Sequence, residues 1–249
     1  MQTVVVLGMH KSGTSLVAEM LHHSGVEMIE ALRGVSYDKG EKYERDETSE
    51  INKALLKAEG LYSLEVRRKL ELASVDPELT GRARRFVEAM AKRGADWGFK
   101  DPRTCLTWEF WKPLLPEHKL ICIFRNVDEV HHRYRWRGRF FGLRALDAWY
   151  RYNMAMLEAY EAAPAGSRML IDYHELMDRA DGVAALSDFL GRAVEDRRNP
   201  QMRRTKGKAD MRTNWDAVLY RLLTGKNVWK LNRRLRALAQ AARQSVPSS

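Results

Sequence analysis

The sequence predicts an α/β fold in three layers, α/β/α, with a mainly parallel central sheet of about five strands and extra helices. Short apolar runs rich in β-branched residues alternate with longer segments whose apolar residues recur every three or four positions. The runs are typical of strands buried on both faces, and the longer segments of helices that pack one face on a core. Strands separated by helices favour parallel pairing, with helices on both faces of the sheet. A chain of 249 residues can form one such domain or two smaller ones.

The first predicted strand, 3–7, leads into a loop with two glycines and then into a helix that begins near Leu16. The loop reads Gly-Met-His-Lys-Ser-Gly-Thr-Ser over 8–15. Backbone N–H groups and the positive end of the helix converge at such a junction and bind phosphate groups. The predicted fold is therefore of the P-loop type. A tight turn in which the glycines serve geometry alone is the alternative without chemistry.

One position of the loop departs from the nucleotide-binding P-loop, in which a lysine directly follows the second glycine. Thr14 occupies that position, and the cation of the loop is Lys11, two residues before Gly13. A lysine there reaches the terminal anionic group of a ligand from another side. The loop therefore indicates a phosphate-like ligand without the usual ATPase or kinase arrangement.

The rest of the chain continues the alternation of strands and helices. Asp76-Pro77 is a good N-cap and N1 pair, and a C-terminal basic helix is predicted at about 214–245. Further strands are predicted over 26–29, 96–100, 119–124 and 168–173. Helices are predicted over 47–59, 61–73, 77–92 and 143–161, and another begins near 127. A polar loop is predicted over 31–46. The helices between 47 and 92 are expected to cover one edge of the sheet.

Charged and hydrogen-bonding residues follow three of the predicted strands at the point where each strand ends. The strand over 3–7 leads into the loop with Lys11, the strand over 96–100 ends in Lys-Asp-Pro-Arg over 100–103, and the strand over 119–124 is followed by Arg125. Ligands of open α/β sheets lie beyond the carboxyl ends of the strands. Because charge at the same end of neighbouring strands is hard to reconcile with a core, these residues predict a shared anionic site.

The formal charge of +10 and a pI near 9.7 imply an anionic partner. Nucleic acid, an anionic membrane surface and a polyanionic cofactor each meet this requirement. The two cysteines are too few for a disulfide framework. Neither a signal peptide nor an apolar run of about 20 residues is evident. A cytoplasmic protein is therefore expected. The paired histidines at 22–23 and 131–132 lack further ligands at metal-binding spacing, so no metal site is expected.

The loop over 8–15 resembles the 5′-phosphosulfate loop of sulfotransferases that use 3′-phosphoadenosine 5′-phosphosulfate (PAPS), in which Arg or Lys precedes Ser-Gly-Thr and then Ser or Thr. The segment over 120–130 is similar to the 3′-phosphate segment of that family, a strand followed by an arginine, with a serine eight residues after it. Arg125 falls on the arginine, Val127 replaces the usual proline, and Arg133 replaces the serine. A guanidinium binds phosphate bidentately, so Arg133 can keep the role with different chemistry.

Trp-Gly-Phe-Lys-Asp-Pro-Arg-Thr over 97–104 looks like the Lys-Asp-Pro-Arg segment of bacterial members of the family. That resemblance implies that Lys100 lies near the transferred sulfuryl group. An ordinary ion pair between Lys100 and Asp101 at a strand end is the alternative.

The loop over 39–44 is similar to a Gly-Tyr-x-Glu stretch in bacterial relatives, with Glu44 on the glutamate. Transfer to a hydroxyl needs a base within hydrogen-bond reach of the acceptor. Glu44 is the first candidate for that base, His10 the second and Glu41 the third. A solvated loop carboxylate is the alternative for Glu44.

The resemblance covers roughly 2–24, 38–52 and 96–135, with fainter matches to about 190. It implies a single sulfotransferase-like α/β domain over 1–249 that uses PAPS as sulfuryl donor. By this resemblance Arg125 and Arg133 hold the 3′-phosphate, and the loop holds the 5′-phosphosulfate through Lys11, Ser12, Gly13, Thr14 and Ser15.

A basic loop that includes Lys206 and Gly207 is faintly similar to the Arg-Lys-Gly loop that closes over the 3′-phosphate in cytosolic sulfotransferases. A basic surface loop without that role is the alternative. The acceptor implied by the family is a small molecule or glycan with a hydroxyl or amine.

Two functions of other classes remain open. A P-loop kinase acting on a small molecule needs a Mg²⁺-binding aspartate at a strand end, and Asp101 is a candidate. A nucleic-acid-binding protein could use the arginine-rich stretch over 133–144, which contains interleaved aromatic residues; because the stretch directly follows Arg125, no nucleic-acid partner is expected. The basic C-terminal helix leaves peripheral membrane contact open, although such a helix more often packs its apolar face on the domain.

Overall fold

The computed structural model describes residues 1–65, 69–70, 75–134, 141–202 and 211–244. Its centre is a sheet of four parallel strands in the order β2-β1-β3-β4. The strands are β1 (Thr3–Leu7), β2 (Trp97–Lys100), β3 (His118–Phe124) and β4 (Arg168–Asp172). The predicted α/β class with a mainly parallel sheet is confirmed.

Strand β1 lies between β2 and β3, and all five of its residues are buried. Side chains alternate across a strand, so Val5 and Leu7 join one apolar core while Val4 and Val6 join another. The two cores lie on opposite faces of the sheet, which gives the three layers. Because the strands are parallel, the loops that follow them emerge at one edge.

Helices cover both faces. The smaller core is closed by α1, α7 and α8, and the larger by most of the remaining helices. The helices are α1 (Thr14–His23), α2 (Asp46–Ala58), α3 (Pro77–Lys92), α4 (Thr104–Trp111), α5 (Val127–Tyr134), α6 (Phe141–Ala162), α7 (Tyr173–Asp178), α8 (Gly182–Leu190), α9 (Met211–Thr224) and α10 (Val228–Gln244).

The described sheet has four strands and not about five, because the segment 26–29 forms only a single bridge between Glu27 and Trp97. The buried guanidinium of Arg45 donates to the backbone oxygens of Glu27 and Gly98, the latter at 2.8 Å. Arg45 thereby occupies the Gly98 carbonyl oxygen at the edge of β2, which a continuing strand would bond. A side chain thus closes this edge of the sheet.

Two helix predictions need correction. The helix predicted over 61–73 is absent from its described part, where Tyr62 and Glu65 form an isolated bridge. The C-terminal helix predicted at about 214–245 is two helices, α9 and α10.

The helix start at Asp76-Pro77 is confirmed, since the Asp76 side chain accepts a hydrogen bond from the Glu78 N–H at 2.9 Å. Among the described residues, no helix is both long and apolar enough to cross a bilayer.

Candidate functional site

The loop between β1 and α1 is shaped by two glycines that no other residue can replace without strain. A Cβ on Gly8 would lie 2.4 Å from the backbone oxygen of Ile123, and one on Gly13 would lie 2.4 Å from the Tyr173 ring. Gly13 also has a φ of +99°, and Lys11 adopts a φ of 70°. The loop is therefore pressed against β3 and the start of α7.

The polar groups of this loop are suited to binding an anion. Helix α1 begins at Thr14 without a side-chain cap, so the N–H groups of its first turn remain available to a ligand. The hydroxyl of Ser12 is fully buried and makes no hydrogen bond within the part of the chain described. A buried hydroxyl without a partner is costly, so a bound anion fits this loop.

A pocket of about 320 Å³ opens beside the loop at the carboxyl ends of the strands. Its lining brings together most of the residues predicted from the sequence: His10, Lys11, Gly13, Thr14, Ser15, Glu44, Lys100, Arg125 and Arg133. Ser12 lies buried in the loop itself, and Lys206 and Gly207 lie outside the described residues.

The pocket is strongly positive. Its described lining contains five basic side chains and a single carboxylate, Glu44: the basic residues are Lys11, Lys42, Lys100, Arg125 and Arg133. Such an excess in one concave site favours a ligand with several negative charges.

Lys100 and Glu44 form an ion pair on one wall of the pocket. The Lys100 ammonium is almost completely buried and lies 2.9 Å from Glu44 Oε1 and 3.3 Å from Ser15 Oγ. Burial lowers the pKa of Lys100 despite the facing carboxylate. Burial alone would raise the pKa of Glu44, but Lys100 and then Arg103 outweigh it and hold that pKa below its ordinary value. Glu44 is therefore ionised at neutral pH.

Asp101 is occupied by its neighbour Arg103. The carboxylate is fully buried and accepts from Nε and Nη2 of Arg103 at 2.8 and 2.6 Å, and from the Arg103 backbone N–H at 2.8 Å. Burial raises the pKa of Asp101, although Arg103 opposes this effect. This pair fixes the turn after β2 and leaves Asp101 outside the pocket lining.

Arg125 is held in place from three sides. Its Nε donates to Glu129 one turn along α5, its guanidinium lies 4.3 Å from the centre of the Tyr173 ring, and its backbone oxygen accepts from Trp149 Nε1 at 3.0 Å. Arg133 lies on α5, eight residues further along the chain, and lines the same pocket. The end of β3 and the helix that follows it thus present the two arginines.

His10 is partly buried beside the pocket, and its buried Nε2 has no hydrogen-bond partner among the described residues. Burial lowers the pKa of His10 to about 4; Arg103, Lys100 and Lys11 add to this effect and Glu44 opposes it. The imidazole is therefore neutral at physiological pH and can accept a proton.

Replacing His10 by asparagine is expected to reduce the acid sensitivity of the fold. The folded state takes up this proton near pH 4 and the unfolded state near pH 6.5, so the unfolded state holds more protons between these values. Between pH 7 and pH 5 the wild type should lose about 2 kcal/mol more free energy of unfolding than the variant. Urea unfolding at both pH values measures this, with His118→Asn as control. Equal losses in wild type and His10→Asn would contradict a partly buried, neutral His10.

Sequence reasoning missed three residues of the lining that have polar side chains, Tyr37, Lys42 and Tyr173, and two apolar ones, Leu16 and Pro102. Tyr173 directly follows β4, so its place at a strand end was a usable signal.

Glu41, the third candidate base, lies outside the pocket lining and is hydrogen-bonded to backbone groups. Its two carboxylate oxygens accept four backbone N–H groups, from residues 33, 34, 42 and 43. Glu41 therefore organises the loop that carries Glu44.

Comparison with known proteins identifies the family. A family model described as the sulfotransferase family matches residues 3–196. The chain belongs to the sulfotransferase family. The family predicted from the loop and strand-end motifs is thereby confirmed, and with it the assignment of the protein as a transferase enzyme.

Two solved sulfotransferase structures share the fold of this sulfotransferase. Sulfotransferase STF1 from Mycobacterium tuberculosis H37Rv is 14% identical with a TM-score of 0.55, covering 94% of this chain and 76% of that one. The sulfotransferase domain from the curacin biosynthetic pathway is 15% identical with a TM-score of 0.53, covering 96% and 97%. A search of curated proteins found no significant match. At these identities the likeness supports the α/β architecture.

The sulfotransferase shows no cluster of three or more His, Cys, Asp or Glu side chains suited to a metal ion within 1–65, 69–70, 75–134, 141–202 and 211–244. Both cysteines, Cys105 and Cys122, are buried and free.

Proposed function

We propose that this sulfotransferase transfers the sulfuryl group of PAPS to a hydroxyl or amine of a small-molecule or glycan acceptor. The observation that carries the proposal is the pocket itself. The strand-to-helix loop with Lys11, the Lys100–Glu44 pair, Arg125 and Arg133 line one cavity, although they are far apart in sequence. PAPS has a phosphosulfate and a separate 3′-phosphate, and the pocket likewise has Lys11 in the loop and, in another part of the chain, Arg125 and Arg133.

The loop is proposed to bind the 5′-phosphosulfate. Ser12, Thr14 and Ser15 supply hydroxyl groups, and the first N–H groups of α1 supply further donors. Because the Ser12 hydroxyl is buried without a partner, a ligand oxygen in the loop would satisfy it. Lys11 adds the positive charge that a P-loop kinase places one residue after Gly13.

Arg125 and Arg133 are proposed to bind the 3′-phosphate. Arg125 is oriented by Glu129 and Tyr173, so its guanidinium loses little conformational freedom when it binds. A guanidinium matches the oxygen spacing of phosphate and forms two parallel hydrogen bonds. Arg133 takes the position at which relatives have a serine, and it brings a second cation to the same group.

Three residues are proposed to act on the reacting atoms. Lys11 offsets the negative charge that develops on the bridging oxygen as the S–O bond breaks. Lys100 lies next to the sulfuryl group, and Glu44 accepts the proton of the acceptor. One Glu44 oxygen bonds Lys100 at 2.9 Å, but a carboxylate has about four acceptor sites, so it can still bond an acceptor hydroxyl.

His10 is the second candidate for the base, because its neutral imidazole has an Nε2 without a hydrogen-bond partner among the described residues.

Glu44→Gln is expected to lower kcat by about 10²- to 10⁴-fold, since it removes a general base. Adenosine 3′,5′-bisphosphate affinity should stay close to wild type. The matched control is Glu50→Gln, a glutamate of α2 paired with Arg82 outside the pocket. Full turnover by Glu44→Gln, with loss of turnover in His10→Asn, would move the assignment to His10.

Label transfer tests the proposed function. The protein is incubated with [³⁵S]PAPS, or with [γ-³²P]ATP and Mg²⁺, and a panel of phenols, sugars, glycans and amines. Transfer of ³⁵S to at least one acceptor class, without transfer of ³²P, is the expected result. Transfer of ³²P alone would show a kinase and contradict the proposal.

The engaged state of Asp101 argues against the kinase alternative. A P-loop kinase needs a carboxylate open to Mg²⁺, whereas both oxygens of Asp101 are bonded to Arg103. The nucleic-acid alternative is also weakened, because two arginines of the stretch over 133–144 already have other contacts. Arg133 lines the pocket and Arg144 pairs with Glu65 at 2.8 Å; the residues 135–140 lie outside the described chain. A cytoplasmic location remains a prediction from cysteine usage.

A further inference from the structure

Helix α9 turns its largest apolar side chains away from the protein. Its buried residues are Thr213, Ala217 and Tyr220. On the opposite side, six apolar side chains are between 41% and 77% exposed: Met211, Trp215, Val218, Leu219, Leu222 and Leu223. We call these six residues the outer face of α9. A helix that only packs on a core places such residues inward.

Polar contacts attach the inner face of α9 to the domain. The Thr213 hydroxyl lies 3.0 Å from Nδ1 of His131, and Asp216 Oδ2 lies 2.8 Å from Nε2 of the same ring. The Tyr220 hydroxyl donates to Asp147 Oδ1 at 2.8 Å. The helix is thus fixed on α5 and α6 through its inner face. Contiguous exposed apolar patches of this kind usually mark an interaction site.

The neighbouring helix α10 behaves in the opposite way. The apolar stripe that left membrane contact open in the sequence consists of Val228, Leu231, Leu235 and Leu238. The first three are at most 5% exposed, and Leu238 is partly buried against the larger core. The role of the stripe is to pack on the domain. Any apolar contact made by the C-terminal helices must therefore come from the outer face of α9.

The charge around the outer face is positive. Helix α9 has two basic residues, Arg212 and Arg221, and one acidic residue, Asp216, which already bonds His131. Four of the six cations in the following segment pair with carboxylates of the domain: Lys226, Arg234, Arg236 and Arg243. At 100° per residue, Arg212 lies between Leu219 and Leu223 on the outer face and Arg221 lies about 60° beyond Val218, and both arginines are exposed. A second copy of the chain would bring the same excess of positive charge to the contact. The surroundings therefore favour an anionic partner.

We propose that the outer face of α9 docks the protein on an anionic lipid surface. Exposed Trp and Leu on one side of a helix, together with exposed arginines, are the elements that bind the interface of such a membrane. Trp215 supplies an amphipathic ring suited to the headgroup level. The helix lies in the plane of the surface and inserts only its outer face.

Docking would bring the candidate site close to the membrane surface. His131, which holds α9, precedes Arg133 of the pocket by two residues on α5. The proposal does not depend on the donor or the acceptor of the enzyme, because it rests on α9 alone.

Vesicle flotation of the full chain tests the proposal. Vesicles of phosphatidylcholine alone are compared with vesicles of equal parts phosphatidylcholine and phosphatidylglycerol. The wild type should float with the anionic vesicles, and binding should weaken as salt rises. Trp215→Ser/Leu222→Ser should lower the partition coefficient by about tenfold or more, with an unchanged melting temperature because both side chains are exposed. Val35→Ser/Tyr62→Ser, which alters two equally exposed apolar side chains elsewhere, should bind like the wild type.

Three results would overturn the proposal. The first is failure of the wild type to float with anionic vesicles, and the second is equal binding by Trp215→Ser/Leu222→Ser, which keeps every charge. The third is a dimer in sedimentation velocity that the same double variant dissociates, since the outer face would then be an interface between copies.

Discussion

Lys11→Met is expected to lower kcat for sulfuryl transfer by about 10²- to 10³-fold, the usual cost of removing one group that stabilises charge in a transition state. Methionine keeps the length of the side chain and removes its charge. Lys11 is exposed, so the fold should be unchanged. Its φ of 70° is equally unfavourable for both residues. The rate is measured at saturating PAPS with the acceptor found by label transfer.

Lys53→Met, an exposed lysine of α2, is the matched control and should keep the wild-type rate. Because the bridging oxygen leaves on adenosine 3′,5′-bisphosphate, Lys11→Met should also weaken binding of that product. The affinity of the variant for PAPS, in which the bridging oxygen carries no full charge, should fall much less than kcat. If affinity for PAPS falls and kcat does not, Lys11 only binds the donor and the proposed role in bond cleavage is wrong.

Arg125→Lys is expected to weaken binding of adenosine 3′,5′-bisphosphate by about 10- to 100-fold, since one or two charge-assisted hydrogen bonds to phosphate are lost. Lysine is preferred to alanine because Glu129 is fully buried and would otherwise keep only the His174 ring, at 2.8 Å, as a basic partner. Calorimetric titration with the bisphosphate and with adenosine 5′-monophosphate measures the effect.

The second ligand lacks the 3′-phosphate, so its affinity should be the same in wild type and variant. Arg144→Lys, in an exposed pair with Glu65, is the matched control variant. An equal loss of affinity for both nucleotides would mean that Arg125 supports the fold of the pocket and does not recognise the 3′-phosphate.

The parts of the fold that depend on local patterns were predictable. Strands β1, β3 and β4 are continuous apolar runs, and the start of α3 has its own capping signal. The number of strands was not predictable, because the sheet edge is closed by Arg45, whose guanidinium bonds Gly98 more than 50 residues away. No local pattern around Arg45 indicates that contact.

The candidate site was predictable where residues follow strands. The positions of Lys100 and Arg125 at strand ends placed both in one pocket. Tyr173 and Lys42 were missed, because an aromatic residue after a strand and a lysine in a charged loop carry little signal by themselves. The face of α9 that turns inward was also beyond sequence reasoning. The inner face of α9 contacts the domain through hydrogen bonds of Thr213 and Tyr220, and the spacing of apolar residues does not predict such bonds.

The central claim is that the pocket binds an adenosine 3′-phosphate that carries sulfate, and thermal unfolding with two ligands tests it most directly. Adenosine 3′,5′-bisphosphate at about 100 times its dissociation constant should stabilise the folded state by about 2.7 kcal/mol and raise Tm by several degrees. ATP with Mg²⁺ at the same concentration should give a clearly smaller shift. A shift with ATP and Mg²⁺ and none with the bisphosphate would contradict the account.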